Sequence, residues 1–180
     1  MSPGGTTSTR ATVDASHSDP KPSNAAPQQL GWWQAIGALT ATERLAALGA
    51  LICAAATVLP WYKAPVGGLV KTGLGSFGFA MAAQLITAGA AIALLIQVGR
   101  GRRPPLPLHV GALLAAAGFW AGGIVVYLMF DRPQFELSGF NQDYALAHGI
   151  FVALGGAAVL AMAGLRIRHV ELVRERQNRD

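Results

Sequence analysis

Few side chains in this chain are equipped for chemistry, so their spacing decides what they can do. His148 lies one helical turn from Tyr144 and close to Asp143. An imidazole beside a carboxylate can relay a proton or sense pH near neutrality. The plainer reading is a histidine hydrogen-bonded at a wet helix end, because no second ionisable group follows it into the apolar run. Gln84 and Thr87 stand three apart in another apolar run and share a helix face. They suit a hydrogen bond to a neighbouring helix or, with His148, a polar path. Cys53 is the single cysteine; it cannot form a disulfide within the chain, and without His or acidic neighbours it is a poor metal ligand. The histidines lack ligand spacing, so no metal or cofactor is expected. No nucleophile elbow, phosphate-binding glycine loop or dinucleotide fingerprint occurs. Asp131, Glu136 and Asp143 are the candidate carboxylates in the expected loops, and their spacing follows no catalytic logic. The expectation is a protein that is not an enzyme.

The elements that position these residues follow from composition. The 180 residues are 52% hydrophobic and only 13% charged, against roughly 25% charged in soluble proteins. Such a chain cannot cover a water-facing surface, and the bilayer is the alternative solvent. The net charge of +5 is placed at the edges of apolar runs rather than along an aromatic-studded stripe. That placement is a topology signal and argues against nucleic acid.

Residues 1–30 are polar, Pro- and Gly-rich and without apolar periodicity, and are expected to form a disordered cytoplasmic tail. Residues 31–39, with paired tryptophans, suit the membrane interface. Thr40-Ala41-Thr42-Glu43 is a capping box that opens a first span over about 41–60, ended by Pro60. Further spans are expected over about 77–98, 108–130 and 142–165, each long enough to cross a hydrocarbon core of roughly 30 Å. Asp143 would then sit in the first turn of the fourth helix. Residues 166–180 form a basic tail, in which Glu175 and Arg179 are spaced for an i, i+4 pair. No apolar segment follows the first basic residues, so the first span is expected to act as an uncleaved insertion signal.

Arg44, Arg100, Arg102, Arg103, Arg166 and Arg168 fall on one side of this arrangement, and Lys63, Lys71 and Arg132 on the other. The excess of basic residues marks the cytoplasmic face. The expected fold is therefore all-α: a polytopic protein of the cell membrane, with four transmembrane helices in two hairpins and both termini cytoplasmic. Leu74-Gly75-Ser76-Phe77 and Leu137-Ser138-Gly139-Phe140 form a faint echo between the two hairpins.

Small residues recur along the spans. Gly118 and Gly122 form G-x-x-x-G, and Gly49, Cys53 and Thr57 repeat the spacing. Such faces let helix backbones approach, either within one bundle or between copies or partners. Trp61, Tyr62 and Phe140 lie in the expected outer loops, as interface anchors or as a docking surface.

With its Leu59-Pro60-Trp61-Tyr62 and Ser138-Gly139-Phe140, the chain resembles small four-helix integral membrane proteins of actinobacteria over residues 40–165. The resemblance implies a source and a topology and no activity. The functional expectation is a non-enzymatic accessory or partner-binding subunit of a cell-envelope assembly, in contact with the lipid bilayer and with a membrane-protein partner or further copies of itself. The alternative is a small transporter or permeation subunit with Gln84, Thr87 and His148 on its path.

Overall fold

A computed structural model describes residues 32–64, 68–101, 109–132, 134–137, 140–143 and 145–179. The expected N-terminal tail and the proline-rich segment around Pro105 lie outside these residues. The chain runs through α1 (Trp32–Gly37), α2 (Ala41–Ala56), β1 (Pro60–Lys63), β2 (Val70–Thr72), α3 (Gly73–Ser76), α4 (Gly78–Gly99), α5 (Val110–Phe130), β3 (Gln134–Leu137), β4 (Phe140–Asp143), β5 (Ala145–Leu146) and α6 (His148–Gln177). It is mostly helical, and α4, α5 and α6 are long and apolar enough to cross a membrane.

The start of α2 is written in its capping box. Thr40 Oγ1 accepts from the Glu43 backbone N–H at 3.4 Å, and the Glu43 carboxylate accepts from Thr40 N at 2.7 Å. Two donors of the first turn are thereby satisfied. The helix stops earlier than its apolar run suggests, at Ala56 rather than Pro60. Proline disfavours helical backbone at the residue before it, and Thr57 Oγ1 turns back to the Ala54 carbonyl at 2.7 Å. The chain then tightens: Val58 N bonds Ala55 O and Leu59 N bonds Ala56 O, both i to i−3. Regular α2 is 16 residues, about 24 Å at 1.5 Å per residue.

The segments expected as irregular loops contain strands. β1 lies between β2 and β5 in a three-stranded antiparallel sheet, with Tyr62 opposite Lys71 on one side and Leu146 on the other. β3 and β4 form a separate hairpin in which Leu137 faces Phe140 and Gln134 faces Asp143. The fourth helix accordingly begins at His148, not near residue 142, and Asp143 belongs to a strand instead of a helical first turn. The short alternating segments Gln-Phe-Glu-Leu and Phe-Asn-Gln-Asp, joined through Ser-Gly, favour a hairpin over a helix. Of the echo between residues 74–77 and 137–140, the first copy lies in α3 and its cap, and the described residues of the second, Leu137 and Phe140, lie in β3 and β4.

Helix α6 is the spine of the bundle and packs on both α5 and α2; α4 packs on α2 and more lightly on α5, and α1 folds back onto α4. The core divides into three levels. Trp61, Tyr62, Met81, Val125, Leu128 and Ile150 fill the end that carries the strands. Cys53, Ala121 and Ala157 form a thin middle level. Ala46, Ala50, Leu95, Leu114 and Leu160 fill the opposite end, towards Arg100. At 30 residues α6 is about 45 Å long. It outruns a hydrocarbon core of roughly 30 Å and carries its Arg-rich last turns beyond the bundle.

Candidate functional sites in the bundle

Trp61 and Tyr62 are the largest fully buried side chains, with no exposed surface. They are therefore neither wet interface anchors nor a docking surface. β1 pairs with β2 and β5, and its register shifts between Pro60 and Tyr62. Such an irregularity re-aims side chains, so that both neighbouring rings are buried at the end of the bundle. There each polar tip finds a helix C-terminus, where the last carbonyls lack intrahelical donors. The Trp61 indole Nε1–H donates to Ala56 O, the last residue of α2, at 2.6 Å. The Tyr62 hydroxyl donates to Leu128 O of α5 at 2.6 Å. Leu128 O has no donor from its own helix, because Arg132 N bonds Phe130 O instead. The Tyr62 ring meets Phe77 edge to face, with centroids 6.1 Å apart. Burial first, then the Asp131 carboxylate, pushes the Tyr62 phenol up to about 12, against the opposing pull of Arg132. The hydroxyl stays protonated, and so a donor, across the physiological range. Phe140 lies in β4, and its side chain, like those of Glu136 and Asp143, is outside the described residues.

The three polar residues considered for a path are not brought together. Gln84 is fully buried, and neither its Oε1 nor its Nε2 has a hydrogen-bond partner. It shares the inward face of α4 with Met81, Ala88 and Ala91, which places it near the middle level of small side chains. Thr87 is half-buried and donates to Ala83 O of its own helix at 2.8 Å. His148 is exposed at the start of α6. Met81, one turn before Gln84 on α4, packs with Trp61 and Tyr62 in the apolar end of the bundle.

The small residues bring helices together inside the chain. A methyl group added at Gly49 would sit 2.7 Å from Leu160 N and 2.9 Å from Gly156 O, so α2 and α6 touch backbone to backbone. At Gly118 the same group would collide with the Ala161 backbone of α6. Gly122 is looser, 3.8 Å from the Ala157 methyl. Cys53 is buried, with its Sγ 3.7 Å from Ala153 O, and Thr57 is buried at the end of α2.

At the Arg100 end, the extension of α6 meets the start of α5. Glu175 Oε1 lies 2.9 Å from His109 Nε2, and Glu171 Oε2 accepts from Gly111 N at 3.4 Å. Both carboxylates thus face a helix N-terminus, which favours negative charge. Glu175 takes His109 rather than the i+4 Arg179 suggested by spacing.

Two crevices open on the outside of α4. One, of about 350 Å³, lies between α4 and α5 and is lined by Phe79, Phe119, Trp120, Ile124 and Tyr127 around Gly123. These aromatics are largely exposed: Phe79 at 91%, Trp120 at 61% and Tyr127 at 63%. A signal was available in the sequence, since Trp120, Gly123, Ile124 and Tyr127 lie on one helical face, but they read as ordinary span residues. The other crevice, of about 430 Å³, lies between α1, α2 and α4 and carries Arg44. No family model matches the chain, and no curated protein or solved structure is similar to it.

Proposed function

We propose that this chain is a four-pass protein of the cell membrane with both termini cytoplasmic, and that it serves as a non-enzymatic, partner-binding subunit of a cell-envelope assembly. α2 is the fourth span in this reading. Its 16 residues give about 24 Å, and the tightened turn through Leu59 adds about 6 Å at the 3₁₀ rise, to reach the roughly 30 Å of a hydrocarbon core. α2 with α4, and α5 with α6, then form the two hairpins. The sheet and the Trp61–Tyr62 plug lie at the outer face, and Arg44, Arg100 and the α6 extension at the inner one, as the distribution of basic residues requires.

The observation that carries partner binding is the crevice between α4 and α5. The seams of α6 with α2 and α5 are closed by glycine contacts, whereas the α4–α5 seam is lightly packed and rimmed with exposed aromatics. A Cβ added at Gly123 would meet nothing within 4 Å, so a foreign helix has room to approach the backbone there. Close approach at small residues is what holds helices together in lipid. The occupant proposed is an apolar membrane helix of a partner protein. A photoreactive residue placed at Ile124 in the full chain should give a discrete protein adduct in cells, which Gly123→Phe abolishes. Adducts to lipid alone would overturn the reading, and adducts to a second copy of this chain would replace the partner by a homo-oligomer.

The permeation reading retains one specific observation, the unpaired carboxamide of buried Gln84. Its test is liposome flux of protons or small cations, which Gln84→Leu should abolish. Flux that survives the substitution removes Gln84 from any path.

A further inference from the structure

The crevice between α1, α2 and α4 has a basic residue among its lining side chains, which the α4–α5 crevice lacks. Arg44, Leu48 and Leu51 stand at i, i+4 and i+7 on α2 and line one wall; Ile92 and Ile96 of α4 line the other, and Ile36 of α1 closes the top. The α2 stripe starts at a guanidinium and descends about 10 Å, at 1.5 Å per residue, into purely aliphatic surface. The volume, about 430 Å³, falls in the roughly 300–1,000 Å³ range of small-molecule pockets.

The guanidinium is held in place without being neutralised. Arg44 Nη2 donates to Gly37 O at the end of α1 at 2.9 Å, which orients the fork and leaves further N–H donors. The adjacent carboxylate, Glu43, is committed to Thr40 N and Oγ1 at 2.7 and 2.9 Å. Among the described residues no acid pairs with Arg44. One turn beyond Ile96 on the same wall, Arg100 is exposed at the cap of α4. Arg44 above an aliphatic slot is complementary to a molecule with a phosphate at one end and a hydrocarbon chain at the other.

We infer that this crevice binds an anionic glycerophospholipid, with its phosphate on the Arg44 guanidinium and one acyl chain between α2 and α4. Planar guanidinium donors match phosphate oxygens in pairs, and the acyl chain covers side chains that α1 and α4 leave open. The site follows from the membrane reading and is independent of the α4–α5 crevice and its partner.

The test uses the purified full chain in detergent and two lipids, phosphatidylglycerol and phosphatidylcholine, each with a photoreactive group in the acyl chain. Adducts are mapped to peptides of α2 and α4. Labelling of the Leu48–Leu51 stripe should favour phosphatidylglycerol about fivefold, the factor set by one arginine near an anionic headgroup. Arg44→Gln should reduce that preference to parity, and Arg44→Lys should restore most of it, which separates charge from any loosening of the Gly37 contact. Leu48→Trp, at a half-exposed position, should fill the slot and lower labelling by both lipids. Equal labelling by the two lipids in the parent chain overturns the inference, as does a preference that survives Arg44→Gln. Displacement of the phosphatidylglycerol label by inorganic phosphate also overturns it, because the site would then take free phosphate. Failure of the membrane reading would look different: neither lipid would label any helix face, including that of Phe119.

Discussion

Removing one oxygen tests the buried end of the bundle. In Tyr62→Phe the ring keeps its edge-to-face contact with Phe77, and only the donor to Leu128 O is lost. Hydrogen bonds between membrane helices average about 0.6 kcal/mol, because the unfolded chain in lipid finds other partners. A buried carbonyl left bare costs more, about 1–3 kcal/mol. Leu128 O belongs to the second class: it lies in the core, and the N–H four residues on is engaged with Phe130 O. The expected loss is about 1–2 kcal/mol, read by reversible unfolding in mixed micelles.

The same hydroxyl carries a pH signature. The folded phenol lies at about 12 against an ordinary 10.0. The protonated form is therefore the one the fold favours, and its contribution is whole below pH 10 and disappears as pH rises towards 12. The parent chain should therefore lose stability over that window. Tyr62→Phe should lose much less of it. A variant within about 0.5 kcal/mol of the parent, the range of ordinary surface substitutions, together with an unchanged alkaline profile, would refute the capping role.

Gly118→Leu should separate α5 from α6, since even a methyl group there collides with Ala161; overpacking alone costs about 1–3 kcal/mol, read in the same unfolding assay, while Gly123→Ala should change little. Gln84→Leu should stabilise the bundle by about 1 kcal/mol or more, because it removes buried polar atoms that have no partner; destabilisation would mean that the carboxamide is satisfied when the protein is in its membrane. Glu175→Ala should cost no more than about 1 kcal/mol, as expected for an exposed pair, here with His109 and Glu175 side chains 36% and 52% exposed.

Helix content and the three membrane-length helices α4, α5 and α6 were legible because they rest on long-range averages of residue type. The capping box at Thr40 was legible because its two hydrogen bonds are local. The strands were not, since β1 pairs with β5 more than 80 residues away and four-residue strands leave almost no periodicity to detect. Without that pairing, Trp61 and Tyr62 have the look of interface aromatics; with it, they turn inward and cap two helices. The same blindness to distant partners affected the small residues. The spacing of Gly118 and Gly122 announces a close helix contact, but only the fold shows that Gly118 meets Ala161 of the same chain. His148 and Gln84 are rare polar groups in apolar runs, and nothing in their own segments records that the first is exposed and the second fully buried.

The proposed four-pass topology is tested most directly by which side of the membrane each connection faces. Cys53 is first replaced by Ser, and single cysteines are then introduced at Ala38, Gly68, Gly101 and Arg179. Their labelling by a membrane-impermeant maleimide is measured in intact cells and again in opened membranes. Position 68 should be labelled in intact cells, and positions 38, 101 and 179 only after opening. Labelling of position 38 together with 68 in intact cells would contradict it, because α2 would then return to the side it started from and the chain would cross the membrane three times.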